Sequence, residues 1–146
     1  LPQLLERAGQ GENGSITAVY TVLTEGDEES DPIAEEVRSI LDGHIVLSRK
    51  VAAANQYPAI DVLASISRVM SNVVSREHMT AAGRVRALMS KYQEMELLVQ
   101  IGEYKQGADA LADDAIRNRP KILEFLGQAP DSFEAFERTV AALRRF

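Results

Sequence analysis

The chain has 146 residues, of which 45% are hydrophobic and 26% are charged, and its formal net charge is −6. This length allows one domain or two small ones with a modest core. The acidic balance argues against a general nucleic-acid binder, which needs clustered Lys and Arg for phosphate contacts. Cysteine is absent and the two histidines are scattered, so we expect no disulfide and no metal site. No apolar run approaches the roughly 18 residues of a membrane helix, and no secretory signal is recognisable.

The first residues predict a short helix, a linker and a strand. Residues 1–8 read as the end of a helix, and the three glycines of residues 9–14 predict a turn-rich linker. Residues 15–23 are rich in β-branched and aromatic side chains, which favour a strand. Their apolar run hardly alternates, as in a strand of a parallel sheet that is covered on both faces. The acidic residues 25–31 follow, either as a solvated loop or as a docking loop for a basic partner.

Helices and strands then alternate up to about residue 70. Asp31 and Pro32 predict the start of a helix that stops near Gly43. Residues 44–47 predict a strand, Ser48 predicts the cap of a short helix, and a further strand follows. Alternating strands and helices are typical of a parallel α/β sheet, and three strands are too few for a complete doubly wound domain.

The apolar period changes to that of a helix from about Ser75. It predicts a long helix over residues 76–101, a glycine-containing turn, and a second helix over residues 109–119. Pro120 either kinks this helix or begins a third one. Asp131 and Glu134 are spaced as a capping pair for a last helix, on which Phe133, Phe136, Val140 and Leu143 share a face. We therefore expect a small helical bundle over residues 75–146.

Residues 57–68 carry the chemistry that suggests a function. They begin with Tyr57, whose flat apolar ring suits a nucleotide base, and end with Arg68, whose planar charged donors suit a phosphate. With Ser48 and Arg49 before it and Met70 after it, this stretch resembles the catalytic-subunit motif of the type III secretion and flagellar export ATPases. These are relatives of the rotary ATP synthase catalytic subunits.

The resemblance extends beyond that motif. Residues 14–23, 31–49 and 97–104 follow in the family order, and the likeness weakens after about residue 128. It implies an α/β fold, with the C-terminal part of a RecA-like P-loop NTPase sheet over residues 1–74. A small C-terminal helical bundle over residues 75–146 then follows. Because the chain starts at Leu1 rather than Met, we expect a fragment, the C-terminal third of such an ATPase.

The resemblance also implies roles for individual residues. Tyr57 would pack against adenine, and Arg68 would be the arginine finger that reaches the γ-phosphate held by a neighbouring subunit. The alternatives are a core aromatic for Tyr57 and a local ion pair for Arg68. Ser65 and Ser67 would position this stretch.

A second set of implied contacts involves the central stalk of the relatives. Glu103, Tyr104 and Lys105 would touch the stalk protein, although the glycines around them could serve only to reverse the chain. The acidic residues 25–31 correspond to a loop that faces the central shaft in the rotary relatives.

The implied function is that of a protein-secreting ATPase at the cytoplasmic side of the inner-membrane export apparatus. Its parent would be a homo-hexamer that binds ATP and Mg²⁺, a stalk protein, a regulator and export chaperone–effector complexes. The chain has no G-x-x-x-x-G-K-[S/T] sequence, so we expect it to be inactive alone and to hold no cofactor. The alternatives are a flagellar export ATPase, a nucleotide-binding subunit of a rotary proton pump, and a free-standing helical adaptor.

Overall fold

The computed structural model describes residues 2–24 and 31–146, except for the side chain of Leu4. It divides into two compact units, Leu1–His44 and Ile45–Phe146. The possible docking loop at residues 25–31 therefore lies outside the described residues, apart from Asp31. Within the described part, the helices are too short or too polar to cross a membrane.

The first unit begins with α1 (Pro2–Leu5) and a β-hairpin. Strands β1 (Gly9–Gly11) and β2 (Gly14–Ile16) pair antiparallel, with Gly11 opposite Gly14. Glu12 and Asn13 are thus the two residues of the hairpin turn, and Asn is a residue that such turns favour. The expectation of a linker over residues 9–14 was wrong, because these glycines belong to paired strands.

The prediction of a long strand over residues 15–23 is also wrong. Strand β2 ends at Ile16, and residues 17–24 belong to no helix or strand. Val19 is 92% exposed and Leu23 is 90% exposed. A strand needs a neighbouring strand for its backbone hydrogen bonds, and neither described sheet includes residues 17–24.

Helix α2 (Pro32–Ile40) starts where the capping signal predicts. The Asp31 carboxylate accepts hydrogen bonds from the backbone N–H groups of Ile33, at 2.9 Å, and Ala34, at 3.2 Å. The helix buries Ala34 and Val37 and ends before the expected stop, because Gly43 already begins the next strand.

The second unit contains the remaining elements, beginning within β3. They are β3 (Gly43–Leu47), α3 (Arg49–Ala53), β4 (Ile60–Ser67), α4 (Met70–Val73), α5 (Arg76–Gln100), α6 (Ala110–Leu126) and α7 (Phe136–Leu143). Ser48 caps α3 and Ser75 caps α5 through their hydroxyls, as the sequence predicts for Ser48. Strands β3 and β4 form a two-stranded sheet, so the described residues hold two small sheets instead of one sheet of three strands.

The core of the second unit lies between its long helices. Helix α5 packs against α6 and α7, and the buried side chains form one cluster, consisting of Val85, Leu88, Ala115, Ile122 and Leu143. Helix α6 continues through Pro120, which rules out a separate helix beginning at Lys121. Pro120 is exposed, so its missing N–H removes one helical hydrogen bond without disturbing the buried face.

The last helix begins later than its capping signal predicts. Helix α7 starts at Phe136 after Ala135, which makes no side-chain cap, so the Asp131–Glu134 pair does not cap it. Instead, Ser132 bonds back to the Ala129 carbonyl through both its N–H and its hydroxyl, which forms a turn before the helix. Phe133 is 88% exposed and does not share the buried face of Leu143.

Candidate nucleotide-contact site

Tyr57 and Arg68 lie at opposite ends of strand β4. Tyr57 precedes it through a cis peptide bond to Pro58, and Arg68 follows Ser67, the last residue of the strand. The Ser65 hydroxyl accepts a hydrogen bond from the Val46 N–H at 3.0 Å and donates one to the Asp61 carbonyl at 2.5 Å. Ser65 thus ties β4 to β3, in agreement with the positioning role that the sequence analysis gives it.

Tyr57 stands against the segment that follows α6. Its carbonyl accepts a hydrogen bond from the Gln128 N–H at 2.9 Å. The Gln56 side-chain amide donates to the Leu123 carbonyl, near the end of α6, at 3.0 Å. These two bonds fix the backbone on either side of Tyr57, whose side chain is 52% exposed and therefore lies outside the buried core.

A shallow cleft of about 270 Å³ lies beside the Tyr57 ring. Its walls come from the start of β4 and from the segment after α6, namely Tyr57, Pro58, Gln128, Ala129, Pro130 and Ser132. An exposed aromatic face next to two proline rings can accept a flat apolar group such as a nucleotide base. The described residues of this cleft carry no charge, so any phosphate would have to be held elsewhere.

Gly127 lies beside the Gln56 contact. A Cβ atom at this position would lie 3.3 Å from the Gln56 amide nitrogen and 3.3 Å from the Leu123 carbonyl oxygen. A side chain at residue 127 would therefore crowd this contact, and the Gln56 amide or the Leu123 carbonyl would have to move by a few tenths of an ångström. The sequence analysis missed Gln56 and Gly127, because the Gln56 contact joins it to Leu123, which is 67 positions away.

The strand that precedes Arg68 contains a local turn and is held by α5. The Asp61 carboxylate accepts hydrogen bonds from the N–H groups of Leu63 and Ala64, both at 3.0 Å, which forms a local turn within β4. The Arg86 guanidinium of α5 donates to the carbonyls of Val62, Leu63 and Ser65. Arg68 itself is exposed just beyond this segment.

Tyr104 fastens the turn between α5 and α6. Its hydroxyl donates to the Asp113 carboxylate at 2.7 Å, and the other oxygen of that carboxylate accepts from the Gly107 N–H at 2.9 Å. Burial, with the nearby Asp113 carboxylate as a second cause, raises the pKa of Tyr104. Gly102 and Gly107 have φ angles of 74° and 89°, which glycine adopts readily.

The other residues near this turn are either ion-paired or exposed. The Lys91 ammonium lies 2.9 Å from the Asp109 carboxylate, and this contact raises the pKa of Lys91 and lowers that of Asp109. Glu103 and Lys105 are exposed. Of the three residues expected to contact a stalk, two are therefore presented to solvent and Tyr104 is bonded within the turn.

Family models match nearly the whole chain. The nucleotide-binding domain of the ATP synthase alpha/beta family matches residues 1–67, and the C-terminal domain of the type III secretion ATPase EscN matches residues 74–145. The nucleotide-binding domain thus matches the first part of the chain, and the C-terminal domain of a secretion ATPase matches the second part.

Curated and solved relatives agree with this match. The type 3 secretion system ATPase of Xanthomonas euvesicatoria is 64% identical over 98% of this chain and 32% of its own length. The assembled ATPase EscN of enteropathogenic E. coli is 52% identical with a TM-score of 0.95, over 99% of this chain and 35% of that chain. EscN in complex with its central stalk EscO is 50% identical with a TM-score of 0.89, over 99% of this chain and 34% of that chain.

By fold and by these matches, this chain is an α/β ATPase segment with a helical C-terminal domain. The chain belongs to the type III secretion ATPase family. It spans about a third of the length of these relatives.

Proposed function

We propose that this chain is the C-terminal part of a hexameric ATPase that hydrolyses ATP to energise type III protein secretion. The observation that carries this proposal is the exposed Arg68 at the end of β4, in a chain 64% identical to a secretion ATPase. Residues 1–74 belong to a RecA-like nucleotide-binding domain, and residues 75–146 form the helical domain. The match of residues 74–145 to the C-terminal domain of the type III secretion ATPase EscN favours this function over a rotary proton pump.

Arg68 and Tyr57 contribute to two different nucleotides in the proposed hexamer. Arg68 reaches the γ-phosphate bound by a neighbouring subunit, where its fixed charge stabilises the charge that develops in the transition state. Tyr57 covers the adenine of its own subunit's ATP, and the neighbouring uncharged cleft fits a base. The residues that hold the phosphates and Mg²⁺ lie in another part of the protein.

The arginine finger is tested by Arg68→Ala in the full-length ATPase. We expect kcat to fall by about 10³–10⁵-fold, with ATP affinity and hexamer formation retained. Arg117→Ala is the matched control, because Arg117 is an exposed arginine of α6 that pairs within its own helix. Unaltered turnover of Arg68→Ala would dismiss the finger.

A mixing experiment tests whether Arg68 acts across subunits. Arg68→Ala subunits are combined with subunits that keep Arg68 but lack the P-loop lysine of the full-length protein. Activity should return in the mixture, because some interfaces then join an intact P-loop to an intact Arg68. If the mixture stays as inactive as each variant alone while mixed hexamers form, Arg68 does not act in trans.

The turn between α5 and α6 is the proposed contact with a central stalk. Glu103 and Lys105 are presented to solvent, and the similar protein EscN has been solved with its central stalk EscO. Tyr104 supports this contact by fixing the turn. Regulator and chaperone–effector complexes are further proposed partners, and the proposed location is the cytoplasmic side of the inner-membrane export apparatus.

Charge reversal of both exposed residues tests the stalk contact. We expect Glu103→Lys with Lys105→Glu to abolish most of the rate increase caused by the stalk protein, while the rate without the stalk stays unchanged. Lys121→Glu, an exposed position on α6, is the control. An unchanged response to the stalk in the double variant would place the contact elsewhere.

A further inference from the structure

Strand β4 has a segment whose backbone N–H groups bond to a side chain within the strand. Two consecutive N–H groups, those of Leu63 and Ala64, bond to the Asp61 side chain. The Ser65 hydroxyl also bonds back to the Asp61 carbonyl. Residues 61–65 therefore form a local turn inside the strand, and three of their carbonyls have hydrogen-bond partners outside the sheet.

Arg86 supplies those partners from helix α5. One guanidinium nitrogen donates to the carbonyls of Val62 and, at 3.3 Å, Ser65, and the other donates to that of Leu63 at 3.0 Å. A guanidinium offers several donors in a fixed plane, so one side chain can hold three carbonyls in a defined arrangement. All three of these contacts are to backbone atoms, and they therefore fix the path of the main chain.

The last carbonyl held by Arg86 is only three residues before Arg68. We propose that Arg86 is a positioning residue for Arg68, which fixes the end of β4 so that the Arg68 guanidinium reaches the neighbouring subunit's γ-phosphate. This inference rests on the proposed function. Displacements of about 1 Å at a reacting group can cost about 10²-fold in rate, so loss of the Arg86 contacts should be measurable in kcat.

The neighbouring residue Arg84 provides a matched control. It lies two positions earlier on α5 and forms an ion pair with Asp114 of α6, within the helical bundle. Arg84→Met and Arg86→Met each remove one guanidinium from the same helix. They differ in that Arg86→Met releases the carbonyls of β4.

The experiment compares Arg84→Met, Arg86→Met, Arg86→Lys, Arg68→Ala and the Arg68→Ala/Arg86→Met double variant in the full-length hexameric ATPase. We expect Arg86→Met to lower kcat by about 10–100-fold with KM for ATP nearly unchanged. Arg86→Lys should recover part of the loss, and Arg84→Met should resemble the wild type. The double variant should be no slower than Arg68→Ala, because Arg86 acts through Arg68. Amide exchange over residues 62–68 should quicken in Arg86→Met but not in Arg84→Met.

Several results would overturn the inference. If Arg68→Ala is inactive but Arg86→Met has a normal kcat, Arg86 is not a positioning residue, although the proposed function stands. Equal losses in Arg84→Met and Arg86→Met, or multiplied losses in the double variant, would indicate general destabilisation of the bundle. A normal kcat in Arg68→Ala would overturn the proposed function and this inference together. If Arg86→Met fails to assemble, the kcat of Arg86→Lys is the test. A partial loss of kcat in Arg86→Lys supports the inference, and a normal kcat overturns it.

Discussion

The helical bundle buries its apolar residues, whereas the segment 17–24 leaves its apolar residues largely exposed. In the bundle, the apolar positions of α5 and α6 are buried against each other, and Leu88 has no exposed surface. In the segment 17–24, an apolar run that is typical of a buried strand lies exposed, with Val19 at 92%. Both patterns are present in the sequence, but only the first finds its partner within the described chain.

The difference follows from where each element finds its hydrogen bonds. A helix satisfies its backbone through residues four positions apart, so it forms wherever one face can pack. A strand needs a second strand beside it, which can come from a distant part of the protein. A strand pattern thus predicts a β-strand only together with its neighbours.

Hydrogen exchange on the 146-residue chain is the most direct way to break this comparison. We expect the central amides of α5 and α6 to be protected at least about a thousandfold more strongly than those of residues 17–24. The reason is that the former exchange only when the bundle opens. Mass spectrometry of peptides from both regions measures the ratio, and protection of residues 17–24 equal to that of the helices would contradict the difference.

A core substitution should sharpen the comparison by showing that the bundle depends on packing. Leu88→Ala should lower the free energy of unfolding by about 2–5 kcal/mol, because it leaves a cavity between the helices. Leu97→Ala is the control on the same helix, since Leu97 is 66% exposed, and it should change the value by less than about 0.5 kcal/mol. Urea unfolding followed by circular dichroism at 222 nm, the usual helix signal, measures both; equal losses would show that burial at Leu88 contributes nothing.

The smallest expected effect concerns the ion pair between Lys91 and Asp109. Because the Lys91 ammonium lowers the pKa of Asp109, this carboxylate stabilises the fold above its unfolded pKa. That stabilisation is lost as the pH falls through the folded pKa, below about pH 4. Since Lys91 has a raised pKa, its part is present below the ordinary lysine pKa and is lost as the pH rises through the folded value.

The substitution Asp109→Asn separates this ion pair from the helix cap. The Asp109 carboxylate also caps α6, because it accepts hydrogen bonds from the N–H groups of Leu111 and Ala112. Asparagine keeps a cap acceptor at this position, so only the pH-dependent part should disappear. We expect the Tm of the variant to lie a few degrees below that of the wild type at pH 7 and to approach it at pH 3. A Tm difference that stays constant between these pH values would mean that the charge of Asp109 contributes nothing.

Local signals in the sequence predicted much of the fold. Asp31 and Ser48 cap their helices because an acceptor side chain and the helix start are only two or three residues apart. The signal of Asp131 and Glu134 failed, because the segment before α7 bonds to Tyr57 and turns back on itself. For Pro120 the sequence left a kink and a new helix open, and α6 continues through it because the buried face of α6 outweighs one missing hydrogen bond.

The candidate site was less accessible from the sequence. Tyr57 and Arg68 stand out through a family motif, and their proposed roles depend on a nucleotide and a subunit interface that would involve other parts of the protein. The hydrogen bonds near them join distant positions. Arg86 lies 21–24 positions from the β4 carbonyls that it contacts, and Gln56 lies 67 positions from Leu123. No spacing rule reveals such contacts. A hint was present in Arg86 itself, which lies between the buried Val85 and Leu88 in the sequence of α5.

Gly127 does not line the Tyr57 cleft, but it lies next to the Gln56 amide that supports the cleft. An alanine there would force the Gln56 amide or the end of α6 to give way by a few tenths of an ångström. Because Gln56 directly precedes Tyr57 in the chain, this displacement would act next to the cleft, although no residue that lines the cleft had changed. Variation at residue 127 therefore alters the surroundings of Tyr57 while every side chain that lines the cleft stays intact.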